Sequence, residues 1–288
     1  MVIWWCVMLE VIKDAVIDVL KIIPFLFLAF CLLEYIEHKM NKKNSQYLIN
    51  NGKIGPIVGG VLGSFPQCGF SAMATRLFSS HVITMGTLIA VYLSTSDEML
   101  PILISKGTNI IIILKIIGIK IIIGIIFGFI IDLFYHKKEN YHNHIHDECI
   151  HDHCHCEEGI LKSSLHHTLS ITLYLFLITL FLNFLIYYIG EDAISSFLAN
   201  KSVLGYFLTS LVGLIPNCAS SVVITELYLS ELISLGSLFS GLLTGCGVGL
   251  LILFRTNKNL KENISILILI YFIGVICGAL IDLIGVII

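Results

Sequence analysis

The stretch Gly63–Gly69 reads GSFPQCG, and a related stretch, Gly213–Ala219, reads GLIPNCA 150 residues later. Each one interrupts an apolar segment with a glycine and a proline, and proline removes a backbone donor and breaks a helix. Each then carries an amide side chain followed by a cysteine. These paired interruptions predict two copies of one unit, with broken helices at equivalent points of the two copies.

The duplication extends well beyond the two stretches. An ungapped shift of 150 residues superposes identical Pro, Cys, Ser, Thr, Gly and Leu residues of segment 63–100 on segment 213–250. The same shift aligns 124–133 with 274–283, including two glycines and an aspartate in each segment. Because these glycines lie four residues apart, they predict a helix face on which a second helix can pack closely.

Composition places this unit in a membrane. Of the 288 residues, 57% are hydrophobic and 13% are charged, whereas soluble domains carry about a quarter charged residues. Apolar runs of about 20 residues, long enough to cross a bilayer, recur along the chain, and a helix satisfies its own backbone groups there. The sequence therefore predicts an all-α polytopic membrane protein whose main partner is the lipid bilayer. A net charge of −3, without basic stretches interleaved with aromatics, predicts no nucleic-acid partner.

Basic residues outside the apolar runs indicate the orientation. They concentrate in the segments 39–53, 137–162 and 255–261, and the positive-inside rule places such segments in the cytoplasm. The loop at Lys106 is the repeat counterpart of the loop at Arg255 but falls on the other side. The two copies are therefore predicted to be inverted repeats, with both termini on the non-cytoplasmic side of the cell membrane.

Inversion requires an odd number of crossings in each copy. The predicted organisation is a first membrane repeat at 1–135, a cytoplasmic His/Cys-rich linker at 136–162 and a second membrane repeat at 163–288. The middles of the repeats, 54–105 and 203–254, must each supply either one crossing and a re-entrant hairpin or three short spans. Both arrangements contain Pro/Gly-interrupted helices, from which many secondary transporters build their substrate sites.

The interruptions supply the first group of candidate ligands. Gln67 and Cys68 follow the first proline, and Asn217 and Cys218 follow the second. Side-chain oxygens and sulfurs are thus expected beside freed backbone carbonyls where each helix opens. A proline kink beside a buried structural cysteine is the alternative, but its occurrence at two equivalent positions favours a transport site.

A second group of candidates follows an apolar span at Ser94–Glu98, opposite Gly245–Gly247 of the other copy. Asp97 and Glu98 belong either to a solvated loop or to an acid pair at membrane depth, where ionisable groups are functional by default. Burial favours the protonated carboxyl and a bound cation favours the ionised one, so Asp97, Glu98 and Glu34 are the candidates for proton coupling. The predicted substrate-binding residues are Pro66, Gln67, Cys68, Ser71, Thr95, Ser96, Asp97, Glu98, Pro216, Asn217, Cys218, Ser221 and Cys246.

The linker between the copies is rich in histidine and cysteine. Imidazole and thiolate suit late or soft metal ions, but the spacing matches no closed zinc-finger pattern. We therefore predict a flexible metal binder of low specificity, with a solvated linker of drifted composition as the alternative. Its candidate ligands are His142, His144, His146, Cys149, His151, His153, Cys154, His155 and Cys156.

Four motifs together resemble one family. The segments around 66–71, 95–103, 216–219 and 247–255 are similar to those of the ten-span heavy-metal exporters, also described as manganese transporters or arsenic efflux permeases. The likeness runs over nearly the whole chain. It implies ten spans, five in each repeat, and so favours three short spans in each middle. It implies export of a heavy metal and leaves manganese and arsenic both open.

The combined prediction is a secondary transporter, not an enzyme, that exports a heavy-metal or metalloid species by proton-coupled alternating access. Asp97, Glu98 and the amide oxygens suit Mn²⁺, whereas Cys68, Cys218 and Cys246 suit trivalent arsenic, zinc or copper. The alternatives are a permease for a small organic solute, with cysteines that only pack, and a membrane enzyme, for which no metalloprotease or nucleophile-elbow pattern is present. No cofactor is predicted besides the transported metal, and a homo-oligomer is left open.

Overall fold

The computed structural model describes residues 54–65, 68–96, 99–135 and 203–285, with scattered positions at 12–31 and 165–184 that are all helical. The regular structure in these ranges is helical, as predicted, and contains no strand. The helices of the first copy are α1 Gly55–Gly63, α2 Cys68–Ser79, α3 Met85–Ser94, α4 Met99–Ser105 and α5 Ile110–Phe134. Those of the second copy are α6 Val203–Gly213, α7 Cys218–Leu229, α8 Leu235–Thr244, α9 Gly249–Thr256 and α10 Leu260–Ile284.

The same five-helix pattern occurs twice, 150 residues apart. The helices α2 and α7 begin at Cys68 and Cys218, and α5 and α10 are each 25 residues long. The left-handed residues that follow α2 and α7, His81 with φ 56° and Glu231 with φ 59°, are also one repeat apart. The helix boundaries therefore repeat at the 150-residue spacing of the duplication that the sequence predicts.

Four stretches of the described residues are long and apolar enough to cross a membrane. They are α5, α10, Met85–Ser105 and Leu235–Thr256. The third stretch contains the break between α3 and α4, and the fourth contains the break between α8 and α9. These two breaks lie within the middles 54–105 and 203–254, where the sequence predicts interrupted helices. The Pro/Gly stretches 63–69 and 213–219 lie earlier, between α1 and α2 and between α6 and α7.

Glycines let the last helix of each copy approach its neighbour closely. A Cβ atom on Gly128 of α5 would lie 2.7 Å from the carbonyl oxygen of Gly86 in α3. In the second copy, a Cβ atom on Gly274 of α10 would lie 2.9 Å from the carbonyl oxygen of Ser240 in α8. Both distances are too short for a real side chain, so the predicted small-residue face is confirmed.

An aspartate near the end of each last helix anchors the start of the interrupted helix beside it. Asp132 Oδ1 accepts a hydrogen bond from the Gly86 backbone N–H at 2.8 Å, and Asp282 Oδ1 accepts one from Gly236 N–H at 2.7 Å. A carboxylate at a helix N-terminus is favoured because the partial positive charge of the helix collects there. The starts of α3 and α8 therefore lie at the C-terminal ends of α5 and α10.

The helices α1 and α2 form a hairpin that packs against α3. Gly55 lies against Thr87 near the starts of α1 and α3, and Gly63 lies against Ser94 near their ends, so α1 and α3 run parallel. Only residues 80–84 connect α2 to α3, which is about 17 Å of extended chain. If α2 continued the direction of α1, its end would lie roughly 30 Å from the start of α3. The helix α2 therefore returns antiparallel to α1, as both a hairpin with one interrupted crossing and three short spans require.

The two copies interlock through their short helices. The helix α9 packs on α2, α7 packs on α4, and α3 touches α8. Ser79 Oγ of α2 and Thr256 Oγ1 of α9 are 2.6 Å apart, and Lys106 Nζ beyond α4 lies 3.6 Å from Glu226 Oε1 of α7. One hydrophobic core includes buried residues of both copies, so the breaks of one copy face those of the other.

Candidate functional site

Three interrupted helices end at one cavity where the copies meet. The cavity has a volume of about 10 Å³, roughly the space that one water-sized sphere needs, and its wall comes from the C-terminal ends of α3 and α8 and the N-terminal end of α7. Its polar side chains are hydroxyls and one amide. The lining residues are Thr95, Ser96, Asn217, Ser220, Ser221, Leu242, Gly245 and Gly247.

The start of α7 contributes the amide. Asn217 has an extended backbone, with φ −144° and ψ 143°, and its Oδ1 accepts a hydrogen bond from Ala219 N–H at 2.9 Å. Ser220 Oγ donates to the Asn217 carbonyl oxygen at 2.8 Å. These bonds hold Asn217 in place directly after Pro216, and the positive end of α7 borders the cavity.

The end of α3 contributes two buried hydroxyls. Thr95 leaves the helical conformation, with φ −54° and ψ 130°, and its Oγ1 donates to the Val91 carbonyl oxygen at 2.8 Å. Ser96 Oγ donates to the Ser94 carbonyl oxygen at 3.1 Å. A hydroxyl that donates its hydrogen keeps lone pairs on its oxygen. Both oxygens can therefore still accept a hydrogen bond or coordinate a cation.

The end of α8 contributes backbone instead of side-chain oxygens. Gly245 has φ −71° and ψ 78°, and Gly247 has φ 55°, a left-handed conformation that favours glycine. Between them, Cys246 is fully buried and its Sγ donates to the Thr244 carbonyl oxygen at 3.3 Å. This break brings the backbone close to the cavity and turns its cysteine into the core.

A buried lysine lies behind the cavity wall. Lys120 of α5 is 0% exposed, and its Nζ donates to the carbonyl oxygens of Thr95 and Leu242, the latter at 3.1 Å. Thr95 ends α3 and Leu242 lies in the last turn of α8, so the ammonium connects the two copies. The partial negative charge of a helix collects at such C-terminal ends. The repeat counterpart of Lys120 is Ile270, which is also 0% exposed.

Four of the predicted ligands line the cavity: Thr95, Ser96, Asn217 and Ser221. Cys246 is buried beside it. The structure describes Pro216 as half-buried before the α7 cap, and Cys68 and Cys218 as the first residues of α2 and α7. Outside the described residues lie Glu34, Pro66, Gln67, Asp97, Glu98 and the linker ligands His142, His144, His146, Cys149, His151, His153, Cys154, His155 and Cys156.

Ser71 lies away from the cavity. It is fully buried in α2, and its Cβ would meet a Cβ built on Gly249 of α9 at 3.1 Å. Its carbonyl oxygen accepts a hydrogen bond from Thr75 Oγ1 at 2.6 Å, and the same hydroxyl lies 2.5 Å from Tyr92 Oη. Ser71 therefore belongs to the contact between α2 and α9.

Sequence reasoning missed Lys120. The residue is a lysine within a 25-residue apolar helix, and an ionisable residue in such a helix is itself a signal of function. Ser220 and Leu242 carry no comparable signal, because serine and leucine are frequent in these segments. Their place in the cavity depends on packing between the two copies.

The sequence comparison bears on the purpose of this cavity. Residues 5–181 match the profile of a family described as "Putative, 10TM heavy-metal exporter". The chain belongs to this family. The match covers more than half of the 288 residues and includes the first copy with Thr95, Ser96 and Lys120, and it confirms the resemblance to the exporters. The motifs at 216–219 and 247–255 lie beyond the matched range.

Membership in the heavy-metal exporter family, together with the apolar helices, identifies a multi-pass membrane protein, and the family description is that of a transporter and not of an enzyme. No curated protein and no solved structure matches the chain. In the part of the chain that the structure describes, no three His, Cys, Asp or Glu side chains cluster in a way that could hold a metal ion. A metal in the described part of the cavity would therefore meet hydroxyl and amide oxygens.

Proposed function

We propose that this member of the exporter family moves a heavy-metal or metalloid species through the cavity between α3, α7 and α8. The observation that carries the proposal is the convergence of interrupted helices from both copies on one polar cavity between apolar helices. Many secondary transporters build their substrate sites from helix ends and unwound backbone at the interface of two repeats. Family membership supplies the class of substrate.

Within that class, a divalent cation such as Mn²⁺ fits the described lining best. Hydroxyl and amide oxygens are hard ligands, which Mn²⁺ prefers over sulfur. The Cys246 thiol is directed to the Thr244 carbonyl and is not part of the lining. Asp97 and Glu98 follow Ser96 in the chain and would complete an oxygen site while carrying the exchanged proton.

The contacts between helices support inverted copies and alternating access. The α1–α2 hairpin lies alongside α3, whereas α4 continues from the end of α3. The helix α4 packs on α7, and α2 packs on α9. This pairing is expected if the two hairpins enter the membrane from opposite sides. With its first helix and both hairpin limbs, each copy then has five membrane-embedded segments, consistent with the ten in the family description. Rocking one copy against the other would open the cavity to each side in turn.

The test is a metal panel in inverted vesicles. We expect uptake of Mn²⁺ driven by a pH gradient, with weaker uptake of Zn²⁺, Co²⁺ and trivalent arsenicals. Substitution of Thr95→Val together with Asn217→Ala should abolish most of the uptake. Thr209→Val is the matched control, because Thr209 is also buried but donates to Gly205 O within α6 and is not among the lining residues.

If no metal or metalloid enters the vesicles under any gradient, the proposal is wrong. Unchanged cellular metal content after deletion of the protein would then favour a permease for a small organic solute. If the Thr95 and Asn217 double variant transports like the unmodified protein, transport exists but does not use this cavity.

A further inference from the structure

We propose that Lys120 is a tethered cation. Its ammonium permanently occupies the point where the C-terminal ends of α3 and α8 meet, a place that would otherwise attract a free cation. This role rests on the proposed function and adds a positioning residue to it. It predicts that no free Na⁺ or K⁺ is needed at this point of the transport cycle.

The burial of Lys120 carries a free-energy cost. An ammonium removed from water is costly unless hydrogen bonds and opposite charge compensate for it. Both forms of compensation are present, because its Nζ donates to the Thr95 and Leu242 carbonyl oxygens at two helix ends. Each helix end leaves carbonyl groups without partners inside the helix and carries a partial charge of about −0.5. The ammonium therefore lies where two partial negative charges add.

The asymmetry between the copies supports a specific role for the ammonium. At the equivalent position of α10, Ile270 is just as buried, so burial at this point of the fold does not require a charged residue. On the same helix, Lys115 is exposed, so α5 does not bury its lysines in general. One ammonium thus serves the ends of two helices that belong to different copies.

The two carbonyl partners connect Lys120 to the cavity. Thr95 and Leu242 both contribute to the lining, so their positions depend on the ammonium that holds their carbonyl groups. In other transporters with interrupted helices, half-helix C-terminal ends and unwound carbonyls coordinate a free coupling ion. A lysine supplies the same charge without binding and release, since it is part of the chain.

Adding small amines to Lys120 variants tests whether Lys120 acts through its positive charge or only by filling space. Lys120→Ala removes the ammonium and leaves space beside the two carbonyls, Lys120→Met keeps most of the volume without the charge, and Lys115→Ala is the matched control on the same helix. We measure the melting temperature in detergent and Mn²⁺ uptake in vesicles, each with methylammonium, ethylammonium or tetramethylammonium added.

For Lys120→Ala we expect a lower melting temperature and uptake reduced roughly tenfold to a hundredfold, as for loss of hydrogen bonds to a charged group. Methylammonium and ethylammonium should restore both quantities in a saturable way, and the bulky tetramethylammonium should not. Lys120→Met should be impaired and resist rescue, because its side chain fills the space. Lys115→Ala should behave as the unmodified protein does, with or without amines.

The inference is overturned if Lys120→Met transports and melts like the unmodified protein, or if the small amines leave the melting temperature of Lys120→Ala unchanged. Should Lys120→Ala not fold, Lys120→Met decides by itself. The melting measurement needs no transport, so amine rescue can succeed even if the unmodified protein moves no metal. Amine rescue of the melting temperature without any metal transport would contradict the proposed function and still support the role of Lys120 as a tethered cation.

Discussion

In the first copy, α5 approaches α3 so closely at Gly86 and Gly128 that a side chain on either glycine would meet backbone, and α10 approaches α8 in the same way at Gly236 and Gly278. At the far ends of these same helices the copies differ. In the first copy, α3 ends at the buried hydroxyls of Thr95 and Ser96, and Lys120 donates a hydrogen bond to the Thr95 carbonyl oxygen. In the second copy, α8 is followed by glycines, and Ile270 takes the place of the lysine.

This difference separates two kinds of position in a duplicated fold. Positions in close helix contacts are the same in both copies, whereas polar positions at the cavity differ between the copies. Two helix backbones in contact leave no room for a side chain, so both copies keep glycine there. The cavity is shared by the two copies, so one ammonium is enough for both. The first copy supplies the ammonium and the hydroxyls at the end of α3, and the second supplies the amide of Asn217 and the hydroxyls of Ser220 and Ser221 at the start of α7.

The largest expected effect tests the shared packing. Gly128→Ala and Gly278→Ala should each lower the free energy of unfolding by about 1–3 kcal/mol, because overpacking forces the backbones apart. Thermal melting in detergent measures this effect. Gly118→Ala is the control on α5, because a Cβ atom at Gly118 meets nothing within 4 Å. If Gly278→Ala left the melting temperature unchanged while Gly128→Ala lowered it, the two copies would not share one packing scheme.

A smaller effect tests the amide at the cavity. Asn217→Ala and Asn109→Ala each remove a helix cap, since Asn109 Oδ1 accepts from Ile111 N–H at 3.0 Å as Asn217 Oδ1 does from Ala219 N–H at 2.9 Å. Each should cost about 1 kcal/mol of stability. Only Asn217→Ala should raise the KM for Mn²⁺ uptake, because only Asn217 lines the cavity. Equal KM values for the two variants would mean that Asn217 is a cap and nothing more.

The smallest effect compares two serines at equivalent repeat positions. Ser221 lines the cavity, whereas Ser71 lies in the contact between α2 and α9. Ser221→Ala should raise the KM for Mn²⁺ roughly two- to fivefold, as for loss of one modest hydrogen bond or ligand. Ser71→Ala should leave the KM unchanged and lower the melting temperature slightly. A larger KM change for Ser71→Ala would place the transported ion near the other copy of the motif.

Much of the fold could be predicted from local sequence features. The proline and glycines at 63–69 and 213–219 predicted the helix breaks, and glycines four residues apart predicted the close packing of α5 and α10. The resemblance favoured three short spans in each middle, and this stays a prediction, because α1 parallel to α3 with α2 returning between them is expected for three short spans as well as for a hairpin and one interrupted crossing. The direction of α2 itself depends on packing between segments, which no local pattern contains.

The candidate site was predictable only in part. Thr95, Ser96, Asn217 and Ser221 line one cavity. The proline break pointed to Asn217, and the acid pair that follows an apolar span pointed to Thr95 and Ser96. Ser71 has the same repeat position as Ser221 and yet lies elsewhere. The two serines cannot be distinguished in sequence, because the difference arises from which helix of the opposite copy packs against each one.

The sequence by itself determined the membrane-embedded helices, the duplication and the broken helices, because apolar length, prolines and small residues act on the backbone close to them. Only the tertiary structure decided that the start of α7 meets the ends of α3 and α8, and that Lys120 binds the last two together. One of those contacts, between Lys120 and Leu242, joins residues 122 positions apart, and all of them depend on how the two copies pack. The helix breaks could be predicted from the sequence, and the cavity at which the broken helices meet could not.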